Sequence, residues 1–338
     1  MIRKVEFING KYTYRRNSKF CVNETVKYFN WVRSYTPAIP LMGQLKIEDE
    51  EERNKKLEEK VARVSGYLLH EKEQSLEKEM IDKIELTLTG YRNFINTLRN
   101  ILNKANSRQV PKNVNIFTTN YDLFIERAVD DTLKNLPFVF NDGASGYFNR
   151  FLSSANFNKT VAYKGIHDNY INEIPSITLI KPHGSINWER HHEEIMIKQS
   201  VVDKPVIVKP DGNEERETFL NNHFHEMLRV FQLELDKPQS ILLTIGFSFQ
   251  DQHIGKMIKR AIQNPELKIY MFGYEDGDRE TYIKNLNLGE EIPNNLVIIT
   301  PKDLPKSLTL TDMTSEGEKR TFNIYNFTEL LNGDLERT

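Results

Sequence analysis

Three short runs carry residue types suited to acid–base work on a sugar or a phosphate. They are Thr118-Thr119-Asn120-Tyr121-Asp122, His183-Gly184-Ser185, and Gly246-Phe247-Ser248-Phe249-Gln250-Asp251. His183 is of a type that titrates near neutrality, so it can take a proton from a hydroxyl or a water. Asn120 can donate and accept at once, which lets it order a water and grip a hydroxyl. Gly246 permits close backbone approach and Ser248 offers a hydroxyl, a combination that suits phosphate or ribose. Each run also has a plain reading. Thr-Thr-Asn before a helix is a good N-cap, and a lone His-Gly after a strand is usually a turn. Their joint arrangement is harder to dismiss.

These runs can meet only if strands bring them to one edge. Each follows a short β-rich segment. NVNIFT (113–118) precedes the Asn120 run, SITLIK (176–181) precedes His183, and SILLTIG (240–246) runs into the Ser248 segment. LKIYMF (267–272) precedes Gly273 and Tyr274, and LVIIT (296–300) closes the series; Val206–Val208 reads as a further strand. Helical patterns lie between them, over 123–133, 222–235 and 253–262, with Phe224, Met227, Leu228, Phe231 and Leu235 on one stripe. Alternation of this kind predicts an α/β fold, a Rossmann-like, mostly parallel sheet covered by helices. Ligands then bind at the carboxyl ends of the strands.

The remaining segments read as additions to that sheet. Asn9-Gly10 between two β-rich runs predicts a hairpin over 4–15. Residues 22–36 (VNETVKYFNWVRSYT) look helical, and Pro37 and Pro40 then interrupt the chain. Residues 47–106 are strongly helical and charged, with Leu57, Val61, Val64 and Leu68, then Tyr91, Phe94, Leu98 and Ile101, at helical spacing. The acidic run at 48–52 suits a helix N-terminus. These helices are expected to form a cap or an assembly surface. The predicted organisation is an N-terminal hairpin and helix (1–46), a helical insertion (47–110), a nucleotide-binding domain (111–305) and a C-terminal extension (306–338).

Composition removes several classes. The chain has 338 residues, 46 basic and 48 acidic, for a formal charge of −2. That balance argues against a broadly basic nucleic-acid surface, leaving only the local run Lys256, Lys259, Arg260. Cys21 is the only cysteine, which excludes a disulfide framework and a four-cysteine zinc module and suits a reducing cytoplasm. No run approaches the roughly 20 apolar residues that cross a bilayer, so a cytoplasmic protein with no membrane partner is expected. His191-His192 beside Glu193-Glu194 has metal-like composition, but adjacent side chains point apart, and no metal is expected.

The combination TTNYD (118–122), KPHGSINW (181–188) and IGFSFQDQHI (245–254) resembles the sirtuin, or silent information regulator, family. The likeness covers roughly 112–300. Within it the residues look like the bacterial antiphage NADase branch, in particular the sirtuin-like subunit of systems paired with a HerA-type ATPase. The resemblance implies NAD⁺ as substrate, with Asn120 and His183 catalytic. It implies NAD⁺ contacts from Thr118, Thr119, Asp122, Gly184, Ser185, Gly246, Phe247, Ser248 and Asp251, with Tyr274 near the adenine. Asp122 would bind the nicotinamide carboxamide or, on the plainer reading, cap the following helix; Tyr274 is equally readable as a surface tyrosine. His253 reads as structural, fixing the loop around the adenosine site. A homo-oligomer and a HerA-type partner are expected, with nucleic acid met only indirectly.

The family pattern is broken in one place. Sirtuins open with a strand and a Gly-Ala-Gly loop whose backbone N–H groups hold the pyrophosphate. This chain has no Gly-x-Gly near its start, and the hairpin at 4–15 stands where that loop is expected. Three explanations stay open. The chain is part of a longer protein; or Arg15, Arg16 and Ser18 replace the loop; or the fold is kept as a scaffold without catalysis. The single cysteine also disfavours protein deacylation, which in that family accompanies a four-cysteine zinc ribbon.

Overall fold

A computed structural model describes residues 5–8, 11–14, 28–33, 50–70, 76–104, 112–135, 138–164, 171–208, 222–289, 291–314 and 317–333. The chain begins with β1 (Val5–Ile8), β2 (Lys11–Tyr14) and β3 (Tyr28–Arg33), followed by helices α1 (Glu50–Leu68) and α2 (Lys78–Lys104). Then come β4 (Asn113–Thr118), α3 (Phe124–Leu133), β5 (Val139–Asn141), β6 (Ala144–Ser145) and β7 (Arg150–Leu152). The middle is all β: β8 (Ala162–Lys164), β9 (Ile171–Glu173), β10 (Ser176–Ile180), β11 (Gly184–Ser185), β12 (Trp188–His191), β13 (Glu194–Ile197) and β14 (Val206–Ile207). Strand and helix alternate again through α4 (Asn222–Asp236), β15 (Ser240–Ile245), α5 (Gln252–Ala261), β16 (Leu267–Phe272), α6 (Asp278–Asn285) and β17 (Leu296–Ile299). A hairpin of β18 (Leu310–Thr314) and β19 (Gly317–Thr321) and a last helix, α7 (Ile324–Asn332), complete the described chain.

Seven strands make one parallel sheet in the order β17-β16-β15-β3-β4-β10-β5. Going outward from β3, the chain first builds β4, β5 and β10 on one side and later β15, β16 and β17 on the other. The order therefore reverses direction at β3, which is where an open α/β sheet forms its ligand crevice.

Two expectations are corrected here. Within 22–36, the described residues 28–33 are a strand, hydrogen-bonded to β4 and β15 in the middle of the sheet; 22–27 and 34–36 lie outside the described residues. A strand covered on both faces needs no polar alternation, so Tyr28, Phe29, Trp31 and Val32 suit it better than the helical spacing suggests. Among the described residues, the first strand of the sheet is thus β3, and the hairpin β1–β2 pairs only with itself. The stretch following that first strand reads SYTPAIPLMG, again without Gly-x-Gly. The second correction concerns Val206–Val208. Its strand, β14, pairs antiparallel with β11 outside the main sheet.

Period-2 alternation sends successive strand residues to opposite faces, and each face has its own core. Val114, Ile116, Ile177, Leu179, Ile241 and Leu243 pack with Tyr91, Phe94 and Leu98 of α2, Phe124 of α3 and Phe327 of α7. Phe117, Ile180, Leu242, Ile269 and Ile298 pack on the other face with Phe224, Met227 and Phe231 of α4, Ile254 and Ile258 of α5 and Tyr282 of α6. Helix α2 runs against α3 and α7 and touches β4 and β10, so the charged helical region shares a core with the sheet. Among the described residues, no helix is long and apolar enough to cross a membrane.

Candidate active site

The β4–β10 register pairs Phe117 with Ile180. Asn120 and His183 each lie three residues past that pair, so the chain leaves both at the same level of the sheet's carboxyl edge. Both are buried, as are Thr118, Thr119, Asp122 and Ser185. Beside them lies a small apolar recess, lined by Phe117, Thr118, Thr119, Pro182, Leu228, Phe231 and Ile254. Its walls come from β4, the turn after β10, α4 and α5.

Local bonds fix the two loops. The Asn120 backbone N–H donates to Thr118 Oγ1 at 3.1 Å, turning the chain sharply out of β4. Asp122 Oδ1 accepts from the Phe124 N–H at 3.2 Å, at the foot of α3, so one carboxylate oxygen takes up the helix-start role weighed for it. In the second loop, Gly184 has φ +85°, and a Cβ there would stand 2.0 Å from the Val206 carbonyl oxygen. Only glycine fits, because both the backbone angle and the approach of β14 exclude a side chain.

Lys181 ties the loops together. Its ammonium, 3% exposed, donates to the Asp122 carbonyl (2.5 Å), Ser185 Oγ (2.9 Å) and Glu126 Oε1 (2.8 Å). Burial raises the Glu126 carboxyl above its usual range, with the Lys181 cation pulling against that shift. Sequence reading missed this staple. The signal was a lysine directly after a short β-rich run, at the end of a strand that the structure buries along its whole length. Tyr121 follows Asn120, and burial, then Glu58 of α1 and Asp122, push its phenol up to about 12.

His183 Nε2 lies 3.2 Å from His253 Nε2, with the ring centroids 5.3 Å apart. Burial, reinforced by the His253 ring, pushes His183 down to about 3, so its imidazole is uncharged at neutral pH. His253 is therefore in direct contact with His183. Sequence could not reveal this, because the contact joins residues 70 positions apart.

The turn after β15 leads into α5, whose Ile254 lines the recess. Gly246 (φ +62°) and Phe249 (φ +60°) both take left-handed conformations. Phe249 is held there by its ring, packed 4.8 Å from Phe247 and 4.9 Å from Tyr282. A non-glycine residue in this region is strained and persists only where packing over-determines it. The Phe247 side chain is thus part of the core. The Ser248 carbonyl accepts from Asn285 Nδ2 at 2.7 Å, and the Asp251 carbonyl accepts from the Gly255 N–H at 2.9 Å. Tyr274 sits one strand further out, 44% exposed, its backbone pinned to Asp278 and Phe322. Of the basic run on α5, Lys259 donates to the Asn287 carbonyl and Arg260 pairs with Asp236 at 3.6 Å. Among the described residues, no three His, Cys, Asp or Glu side chains are placed to hold a metal.

A doubly wound parallel sheet with polar strand ends gathered at its reversal point defines a nucleotide-binding α/β domain. Comparison with protein-family models matches residues 114–289, just over half the chain, to the SIR2-like domain. The chain belongs to that family, whose domains use NAD⁺. No curated protein matches the sequence.

Proposed function

We propose that the chain is an NAD⁺ glycohydrolase, cleaving the nicotinamide N-glycosidic bond. The observation that carries this reading is the placement of Asn120 and His183, both buried, in the loops that leave the paired ends of the adjacent strands β4 and β10, beside a recess. Breaking the bond between ribose C1′ and the nicotinamide nitrogen builds positive charge on the ribose. An enzyme needs to hold the ring, exclude stray water and place one attacking water. Asn120 would order that water or grip a ribose hydroxyl. His183, uncharged at neutral pH, would take the proton released as water adds to C1′. The products are nicotinamide, ADP-ribose and a proton. Thr118, Thr119, Gly184, Ser185, Gly246 and Ser248 would surround the ribose and phosphates, with Asp122 at the carboxamide and Tyr274 toward the adenine. The resemblance to antiphage NADases makes NAD⁺ depletion during infection the biological role, with homo-oligomerisation and a HerA-type ATPase as the regulating assembly.

A second reading is favoured by one observation. The segment after β3, where a doubly wound sheet cradles its pyrophosphate, has no Gly-x-Gly. On this reading the chain is a non-catalytic subunit that docks the ATPase. One experiment separates them. The purified chain is incubated with NAD⁺, with and without the ATPase, and nicotinamide is quantified. Glycohydrolase function predicts release that Asn120→Ala or His183→Ala abolishes while far-UV circular dichroism stays unchanged. Normal turnover by both variants sinks the mechanism. No release under any condition, with the ATPase co-purifying, establishes the scaffold.

A further inference from the structure

The two nitrogens of His183 are in different situations. Nε2 faces His253 Nε2 at 3.2 Å. Nδ1 has no hydrogen-bond partner among the described residues. A neutral imidazole carries its hydrogen on one nitrogen and its lone pair on the other, and the bond made by one decides the role of the other. The side of the ring that is tied therefore selects which atom can act as a base.

We infer that His253 is a positioning residue for His183: its Nε2 accepts the His183 Nε2–H, which leaves the lone pair on His183 Nδ1, the atom open to a reacting group. This deepens the glycohydrolase reading and rests on it. The arrangement follows the general logic of a base oriented by a third group, here with a second imidazole as the orienter. When His183 takes a proton at Nδ1, the Nε2–H becomes more acidic and its bond to His253 strengthens. The charge that burial opposes is then shared with a polar partner instead of standing alone. His253 is well placed to hold still. It is 3% exposed, lies in the first turn of α5, and sits beside Ile254 in the core. The turn that delivers it is the one fixed by the left-handed Phe249.

The test compares His253→Leu, which keeps an apolar filling, with His253→Gln, whose Oε1 reaches roughly as far as the lost Nε2 and can accept the same hydrogen. Leucine is expected to lower kcat for nicotinamide release about 10–100-fold, part of what a positioned base contributes, and glutamine to restore most of it. KM for NAD⁺ should stay within about twofold in both, because the lost interaction acts on the chemical step. The second measurement needs no substrate. In protein carrying ¹⁵N-labelled histidine, His183 should show a pyridine-like Nδ1 and a protonated Nε2, and His253→Leu should blur that distinction. Full turnover by His253→Leu, equal losses in both variants, or a protonated Nδ1 in the wild type would overturn the assignment. If the wild type hydrolyses no NAD⁺, the glycohydrolase reading fails and the ring-nitrogen signals alone decide whether His253 sets the tautomer.

Discussion

His183 links the chemistry of the site to the stability of the protein. Above pH 6.5 the imidazole is neutral whether the chain is folded or not. Below it, the unfolded chain takes up a proton that the folded protein refuses until about pH 3. Stability is therefore lost as pH falls through this window, by about 1.4 kcal/mol per pH unit for this one group. Urea unfolding between pH 6.5 and 4.5 should show a shallower decline for His183→Gln than for the wild type, and identical slopes would refute the account. Asn120 and His183 were both legible as candidates, because each directly follows a β-rich run and strand ends are where such folds bind ligands. The contact of His253 with His183 was not, since it depends on a turn whose left-handed Phe249 no local rule foretells. Phe247 reads like a ligand contact in sequence, yet its ring belongs to the core.

Between elements, Lys181 is the fastener. It joins the loop after β4 to the loop after β10 through a carbonyl, a hydroxyl and a carboxylate. Removing one partner of a buried ion pair leaves the other charge uncompensated, so Lys181→Met should cost about 3 kcal/mol. The double variant Lys181→Met/Glu126→Leu should recover much of that loss, since it removes both charges together. A single variant within about 0.5 kcal/mol of the wild type, read by chemical denaturation, would show the staple to be dispensable. Helices α3, α4 and α5 were readable as amphipathic stretches and strands β4, β10, β15, β16 and β17 as short β-rich runs, with ends off by a residue or two, whereas α6 and α7 were not singled out. Strand β3 was not. Val22, Val26, Phe29 and Val32 echo a helical spacing, and only pairing with β4 and β15 reveals the strand. Tertiary context overrides local pattern most easily at the centre of a sheet, where both faces are covered.

The whole molecule carries one core on each face of a shared sheet. Phe94 of α2 lies in the first and Phe231 of α4 in the second, both 2% exposed or less. Truncating either to alanine should cost about 3–5 kcal/mol. Because the sheet is common to both, each variant should lower a single unfolding transition, seen alike by circular dichroism and by the fluorescence of Trp31 and Trp188. The pair should add to within about 0.5 kcal/mol, as distant sites do. Two separated transitions, one lost selectively in Phe94→Ala, would instead make α1 and α2 an independently folding unit. The balanced charge and single cysteine were fully legible in the composition. The sharing of a core between the helices at 50–104 and the sheet was not, because an amphipathic stripe does not state what it packs against.

The place of β3 also has a consequence for synthesis. One of its edges pairs with β4, but the other waits for β15, more than 200 residues further along the chain. At about 5–20 residues/s of translation, that edge stands open for roughly 10–40 s. An unpaired edge is a template for another chain. Nascent copies emerging from one polysome would thus be most prone to associate before Ser240–Ile245 leaves the ribosome, and a transcript truncated upstream of that strand would yield a product whose sheet can never close.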